Sequence, residues 1–213
     1  WQQKLGAYYS VIGYYIQSKD KNKALTYIDK ALEIKDEVVE ANKNNMNPFA
    51  FNSATLELYE KVIYLKENQD KLESINADKL VFNYVAGLDC DMNGKPDQLV
   101  SSGDNAVISE KDDGILVVQS NNGAKNGYIE TRKLNFAAEK NYKIEVELAN
   151  ESSLKALPYG ITGFSTKQES LIATGKIYST QVSFPKDFKP SDNILRIHTP
   201  EKLEIRSIRV VEM

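Results

Sequence analysis

The sequence predicts an α+β chain in two parts, a helical segment over residues 1–76 followed by an antiparallel β-sandwich over residues 77–213. Three observations predict it. Apolar residues recur at three- and four-residue spacing up to about residue 75. From about Leu80 the period changes to two. Clusters of Asp, Asn and Gly then punctuate the chain at short intervals, the pattern of hairpin-rich all-β sequences.

The helices come first. Leu5, Tyr8, Tyr9, Ile12, Tyr15 and Ile16 share the faces of one helix, and Ser18-Lys19-Asp20-Lys21-Asn22 breaks it. Ala24, Leu25, Ile28, Ala31, Leu32 and Ile34 repeat the spacing in a second helix, which ends at Asn44-Asn45-Met46-Asn47-Pro48. Asn52-Ser53 caps a third, carrying Leu56, Leu58, Tyr59, Val62, Ile63 and Leu65. From Tyr8 to about Glu40 the chain resembles a tetratricopeptide repeat (TPR), on Tyr8, Val11, Tyr15, Ala24, Ile28 and Ala31 and the run "KALEIKDE". It departs at Ile12, where that pattern prefers Gly, and at Asp36, where it prefers Pro. The resemblance implies a helical hairpin closing on the small residues Ala24 and Ala31. One such repeat cannot bury both its faces, so either further repeats precede Trp1 or the hairpin docks on the third helix and the sandwich. An ordinary three-helix bundle is the other reading.

In the β part, Tyr142, Ile144, Val146 and Leu148 alternate with Lys143, Glu145 and Glu147. Leu203, Ile205 and Ile208 do the same in "LEIRSIRVV". Further strands read as "LVFNYV", "AVIS", "GILVVQS", "GYIETRKL", "GITGFS", "SLIATG", "IYSTQVSFP" and "NILRIHT", with turns at Asp112-Asp113-Gly114, Asn121-Asn122-Gly123, Lys186-Asp187 and Ser191-Asp192-Asn193. Residues 75–79, "INADK", form the joint. This half resembles the jelly-roll sandwiches of carbohydrate-binding modules. The resemblance rests on "KLNFAAEKNYKIEVEL", on "NILRIHT" followed by a final "LEIRSIRVVE", and on an acidic loop near the first strand. It implies glycan binding without catalysis. The order of helical segment, joint, acidic loop and sandwich is also similar to the extracytoplasmic C-terminal region of O-antigen ligase/polymerase-type membrane proteins of Clostridia-like bacteria, on "NKALTYIDKALEI", "NPFAFNSATLELYEKV" and "GLDCDMNGKPDQL". That similarity implies a membrane-anchored parent chain with this segment at the cell surface. The chain also opens on Trp1 inside a helical pattern, which suggests a piece of a longer polypeptide.

The acidic loop is "DCDMNGKPD". Asp89, Asp91 and Asn93 place side-chain oxygens at alternate positions, Gly94 permits a sharp turn, Lys95 can lend its backbone carbonyl, and Asp97 completes the set. This is the opening of the known oxygen-rich calcium loop. Carboxylates held together repel one another, and a bound Ca2+ removes that repulsion. The loop is not an EF-hand, because Val100 stands where the bidentate Glu belongs. The competing reading is an Asn-Gly turn with solvated acids. A calcium ion here has a structural role. Cys90 lies inside the loop, yet a hard cation prefers oxygen to thiolate.

Composition excludes several classes. The chain has 213 residues, 41% apolar and 27% charged, with a net charge of -3, which offers no basic footprint for nucleic acid. No apolar run is long enough to cross a bilayer. One cysteine rules out an internal disulfide. His198 is the lone histidine, on a strand, and reads as structural. Phosphate-loop and dinucleotide spacings are missing. Twelve tyrosines remain as a hint, because the CH faces of sugar rings stack on aromatic rings. Tyr128, Tyr159, Phe164 and Tyr178 are the candidate platform, although core packing or a tyrosine corner is the commoner role for each taken singly. The expectation is a non-catalytic glycan-binding or positioning module of a bacterial envelope polysaccharide protein, stiffened by calcium. The alternatives are a protein–protein adaptor working through the helices and a glycoside hydrolase.

Overall fold

The computed structural model describes residues 1–101, 106–120, 127–162, 169–189, 193–199 and 201–213. Helix α1 spans Gln2–Gln17, α2 spans Lys21–Asn42 and α3 spans Ser53–Glu67. The breaks read from sequence act as caps. The Asp20 side chain accepts from the Lys23 N–H, and that of Asn52 from the Thr55 N–H. The three helices pack on one another through Leu5 and Ile12 of α1, Ile28, Ile34 and Val38 of α2, and Leu56, Val62 and Leu65 of α3. Ala24 and Ala31 are fully buried, and their small side chains let α2 approach its neighbours closely. The hairpin of α1 and α2 thus closes on α3. No helix among the described residues is long and apolar enough to cross a membrane.

Two 3-10 turns, Gln69–Lys71 and Ala77–Lys79, lead into the strands. These are β1 (Leu80–Asn83), β2 (Leu99–Ser101), β3 (Ala106–Glu110), β4 (Leu116–Ser120), β5 (Tyr128–Thr131), β6 (Asn141–Leu148), β7 (Ala156–Ile161), β8 (Glu169–Thr174), β9 (Ile177–Ser183), β10 (Leu195–His198) and β11 (Leu203–Glu212). Every pairing is antiparallel, in the order β2-β5-β10-β7-β8-β9-β6-β11-β4-β3. Strand β1 adds to β11 on the side that β4 occupies further along.

The hydrogen-bonded path folds over on itself. Leu99, Ile129, Ile197 and Leu157 from one end share a single core with Ile144, Ile208, Val118 and Ile108 from the other. The result is a β-sandwich beside a helical layer, an α+β architecture. The period-two pattern sorts side chains as expected. Tyr142, Ile144, Val146 and Leu148 point into the core and Lys143 and Glu147 point out.

The two layers have separate apolar cores, but the chain does not divide cleanly between them. Ala77, Val85, Leu88 and Cys90 pack into the helical core although they follow the helices in sequence. The layers also meet through a buried ion pair between Glu60 of α3 and Arg132, which follows β5.

Candidate functional site

Between β1 and β2 the acidic loop is sorted by alternation. Leu88 and Cys90 are fully buried against the helices, while Asp89 and Asp91 turn outward. The base is pinned from α2, where the buried Asn42 amide donates to the Cys90 carbonyl at 2.8 Å and to the Phe49 carbonyl at 2.8 Å. The neck is closed by Asp97. Its N–H donates to the Leu88 carbonyl at 2.7 Å and its Oδ2 accepts from the Cys90 N–H at 3.1 Å. The turn itself uses left-handed backbone at Met92 (φ 57) and Gly94 (φ 79). Asp89 accepts from the Asn93 and Gly94 N–H groups at 3.0 and 2.8 Å, and Asp91 accepts from the Asn93 N–H and side-chain amide at 3.2 and 2.9 Å.

One oxygen from each of Asp89, Asp91 and Asp97 lies within 4.8 Å of the others. That is the separation of two ligands facing each other across an ion at about 2.4 Å. Burial raises the Asp91 and Asp97 carboxyls above the usual carboxylate range. Asp89 adds to the rise at Asp91, and the charge of Asp91 adds to it at Asp97. Asp97 Oδ1 is buried and makes no hydrogen bond, although the Phe51 N–H nearby favours its charged form. A divalent cation would relieve each of these costs, so the three aspartates fit a calcium ion. The Asn93 side-chain oxygen accepts from the Lys95 N–H at 2.8 Å, a contact within the turn. Beside the loop lies a cleft of about 590 Å³, walled on its far side by the β3–β4 hairpin from Glu110 to Gly114.

A second cluster occupies the outer face of the sheet. Across β2, β5, β10 and β7 the register sets Val100 beside Glu130, Glu130 beside Arg196, and Arg196 beside Gly160. One step along, Tyr128 stands opposite His198. The Arg196 guanidinium lies 4.1 Å from the Tyr128 ring centre, and the His198 ring lies 5.8 Å from it. Glu130 steadies the guanidinium, accepting from Arg196 Nε at 2.9 Å. A Cβ at Gly160 would meet nothing within 4 Å, so the face is open there. Burial, and after it the charge of Arg196, hold the His198 imidazole below its ordinary range, leaving it neutral at pH 7. An aromatic ring, a planar donor, a carboxylate and a neutral imidazole on one open face can stack against and hydrogen-bond a polyhydroxylated ring.

The expected aromatic platform does not assemble. Tyr159 is 2% exposed and Tyr178 is fully buried, both within the sandwich core. Tyr159 has the inward parity of Leu157 and Ile161, and its hydroxyl donates to Glu169. The Tyr178 hydroxyl donates to the Leu154 carbonyl at 2.8 Å. These two are packing residues. Phe164 lies outside the described residues. Of the three that are described, Tyr128 alone is placed on the outer face. Arg196, Glu130 and His198 were not anticipated as a group. "YIET" and "LRIH" each carry two polar or aromatic residues of the same parity, but nothing in the sequence says that the two strands are neighbours.

No family model matches the chain, and no curated protein matches it. Among solved structures it is similar to carbohydrate-binding modules. One is the carbohydrate-binding and GH10 modules of Clostridium thermocellum endo-1,4-beta-D-xylanase 10B complexed with xylohexaose, at 12% identity and a TM-score of 0.46, covering 63% of this chain and 28% of that one. Another is the family 35 module from Paenibacillus barcinonensis, at 21% identity and a TM-score of 0.40, covering 61% and 98%. A third is the C-terminal family 22 module of the Clostridium thermocellum xylanase, at 14% identity and a TM-score of 0.42, covering 64% and 96%. At these identities and scores the similarity assigns neither a family nor a ligand.

Proposed function

We propose that the chain is a non-catalytic glycan-binding module whose ligand lies on the outer face of β5, β10 and β7, and whose acidic loop is stiffened by a structural calcium ion. The observation that carries this reading is the Tyr128, Arg196 and His198 cluster beside the open surface at Gly160. Arg196 is already held by Glu130 and by the Tyr128 ring. Binding therefore does not have to order a long, mobile side chain, which lowers its entropic cost. The converging oxygens of Asp89, Asp91 and Asp97 support the calcium part. Within a bacterial envelope protein, such a module would hold a membrane-anchored parent near its polysaccharide.

A second reading, a protein–protein adaptor, is favoured by the tyrosines of the helical layer. Tyr14 is 65% exposed and continues a row of ring contacts through Tyr15, Tyr27 and Tyr8. Affinity electrophoresis against soluble polysaccharides, with plant and bacterial envelope glycans included, separates the two. The glycan reading expects Tyr128→Ala or Arg196→Ala to weaken retardation about tenfold, from the loss of roughly 1.5 kcal/mol of stacking, with Tyr14→Ala neutral. It is overturned if the unmodified chain is retarded by none of the glycans, or if the Tyr128 and Arg196 variants bind as it does.

A further inference from the structure

Strand β1 pairs with β11 along one edge only. Its other edge, continued just past the strand to Val85, carries the backbone groups of residues 81, 83 and 85, which face away from β11. An unpaired strand edge is a template for another strand, and a buried one leaves polar groups without partners. Here every one of the following groups is met by a side chain. The Val81 carbonyl accepts from Arg132 Nη2 at 3.0 Å. The Asn83 N–H donates to Glu60 Oε2 at 3.2 Å. The Asn83 carbonyl accepts from Gln98 Nε2 at 2.7 Å, and the Val85 N–H donates to Gln98 Oε1 at 2.8 Å.

The three side chains are themselves locked together. Arg132 Nε and Nη2 donate to the two Glu60 oxygens at 2.9 and 2.7 Å, and Gln98 Nε2 donates to Glu60 Oε1 at 2.8 Å. Their side chains are withdrawn from solvent, with Glu60 at 1% and Arg132 at 4% exposure and the Gln98 residue at 0%. They come from three distant places: α3, the residue before β2, and the residue after β5. A buried ion pair adds little net stability over a well-packed apolar pair of the same size. Its worth lies in what its geometry fixes.

We propose that Glu60, Arg132 and Gln98 form a latch that takes the place of a missing strand along β1, and that this latch sets where the helical layer sits on the sandwich. Because Glu60 belongs to α3 and the groups it serves belong to β1, the helix can seat in only one position if the edge is to be satisfied. The apolar cores on either side are separate.

The test is residue-resolved amide hydrogen exchange on the full chain carrying Glu60→Leu together with Arg132→Met, and separately on Gln98→Leu. The double variant is expected to fold but to melt lower than the unmodified chain, because the Val81 carbonyl and the Asn83 N–H lose their side-chain partners. Its Asn83 amide should exchange about a hundredfold faster, with the Tyr84 amide, which donates to Ile208 on the β11 side, unchanged. In Gln98→Leu the same selective loss moves to Val85. Asn83 and Tyr84 staying in step in the double variant would overturn the latch. So would failure of that variant to fold, because the trio would then be the main source of stability. Protection of Val85 surviving Gln98→Leu counts against it equally.

Discussion

Asp97 carries a buried oxygen without a hydrogen bond, and its neighbours Asp89 and Asp91 bring two more carboxylates within reach of it. Leaving that oxygen unmatched raises the energy of the loop. Millimolar calcium is therefore expected to raise the melting temperature of the unmodified chain, and Asp91→Ala to abolish the rise. A flat calcium response in the unmodified chain would remove the metal from the account. His198 supplies a pH prediction. Its folded-state value lies below the 6.5 of a free imidazole, through burial first and Arg196 second. A depressed value means that its share of stability is present above about pH 6.5 and is lost as the pH falls through the lower, folded value. An NMR titration of the ring should give a midpoint below 6.5, and Arg196→Ala should move that midpoint upward.

The β3–β4 hairpin shows what a single element demands. Gly114 has φ 79, and a Cβ there would stand 2.7 Å from the Ala86 Cβ. Gly114→Ala thus strains the backbone and pushes the hairpin off the segment that leads into the acidic loop. Its expected cost is about 1–3 kcal/mol, read from denaturant melts. Elements of this kind were legible in the sequence: the Asp112-Asp113-Gly114 turn, the Asn52 cap and the alternation of β6 all follow from local chemistry. Tyr159 leaves the candidate platform for a physical reason. In "ALPYGI" the apolar set is Leu157, Tyr159 and Ile161, and the outward set is Ala156, Pro158 and Gly160. Parity places Tyr159 inside, and its hydrophobic ring fills the core there as Leu157 and Ile161 do.

At the scale of the molecule, the division into helical and sandwich parts was visible as a change of period, while the contacts across it were not. Glu60 and Arg132 are 72 residues apart and Asn42 and Cys90 are 48 apart. No periodicity reports a pairing at such distance. The strand order has the same origin, since β5 lies between β2 and β10 rather than beside a sequence neighbour. The Tyr128 and Arg196 cluster exists only because of that order.

The sole cysteine gives this architecture a built-in clock. Cys90 is fully enclosed by the helical core, and burial first, with Asp97 second, pushes its thiol well above the ordinary range. Only the thiolate reacts with an alkylating reagent, so the intact chain should be modified far more slowly than the denatured one. The residual rate, followed by mass spectrometry, would count each parting of the loop from α2, and an ion seated on the three aspartates should slow it further.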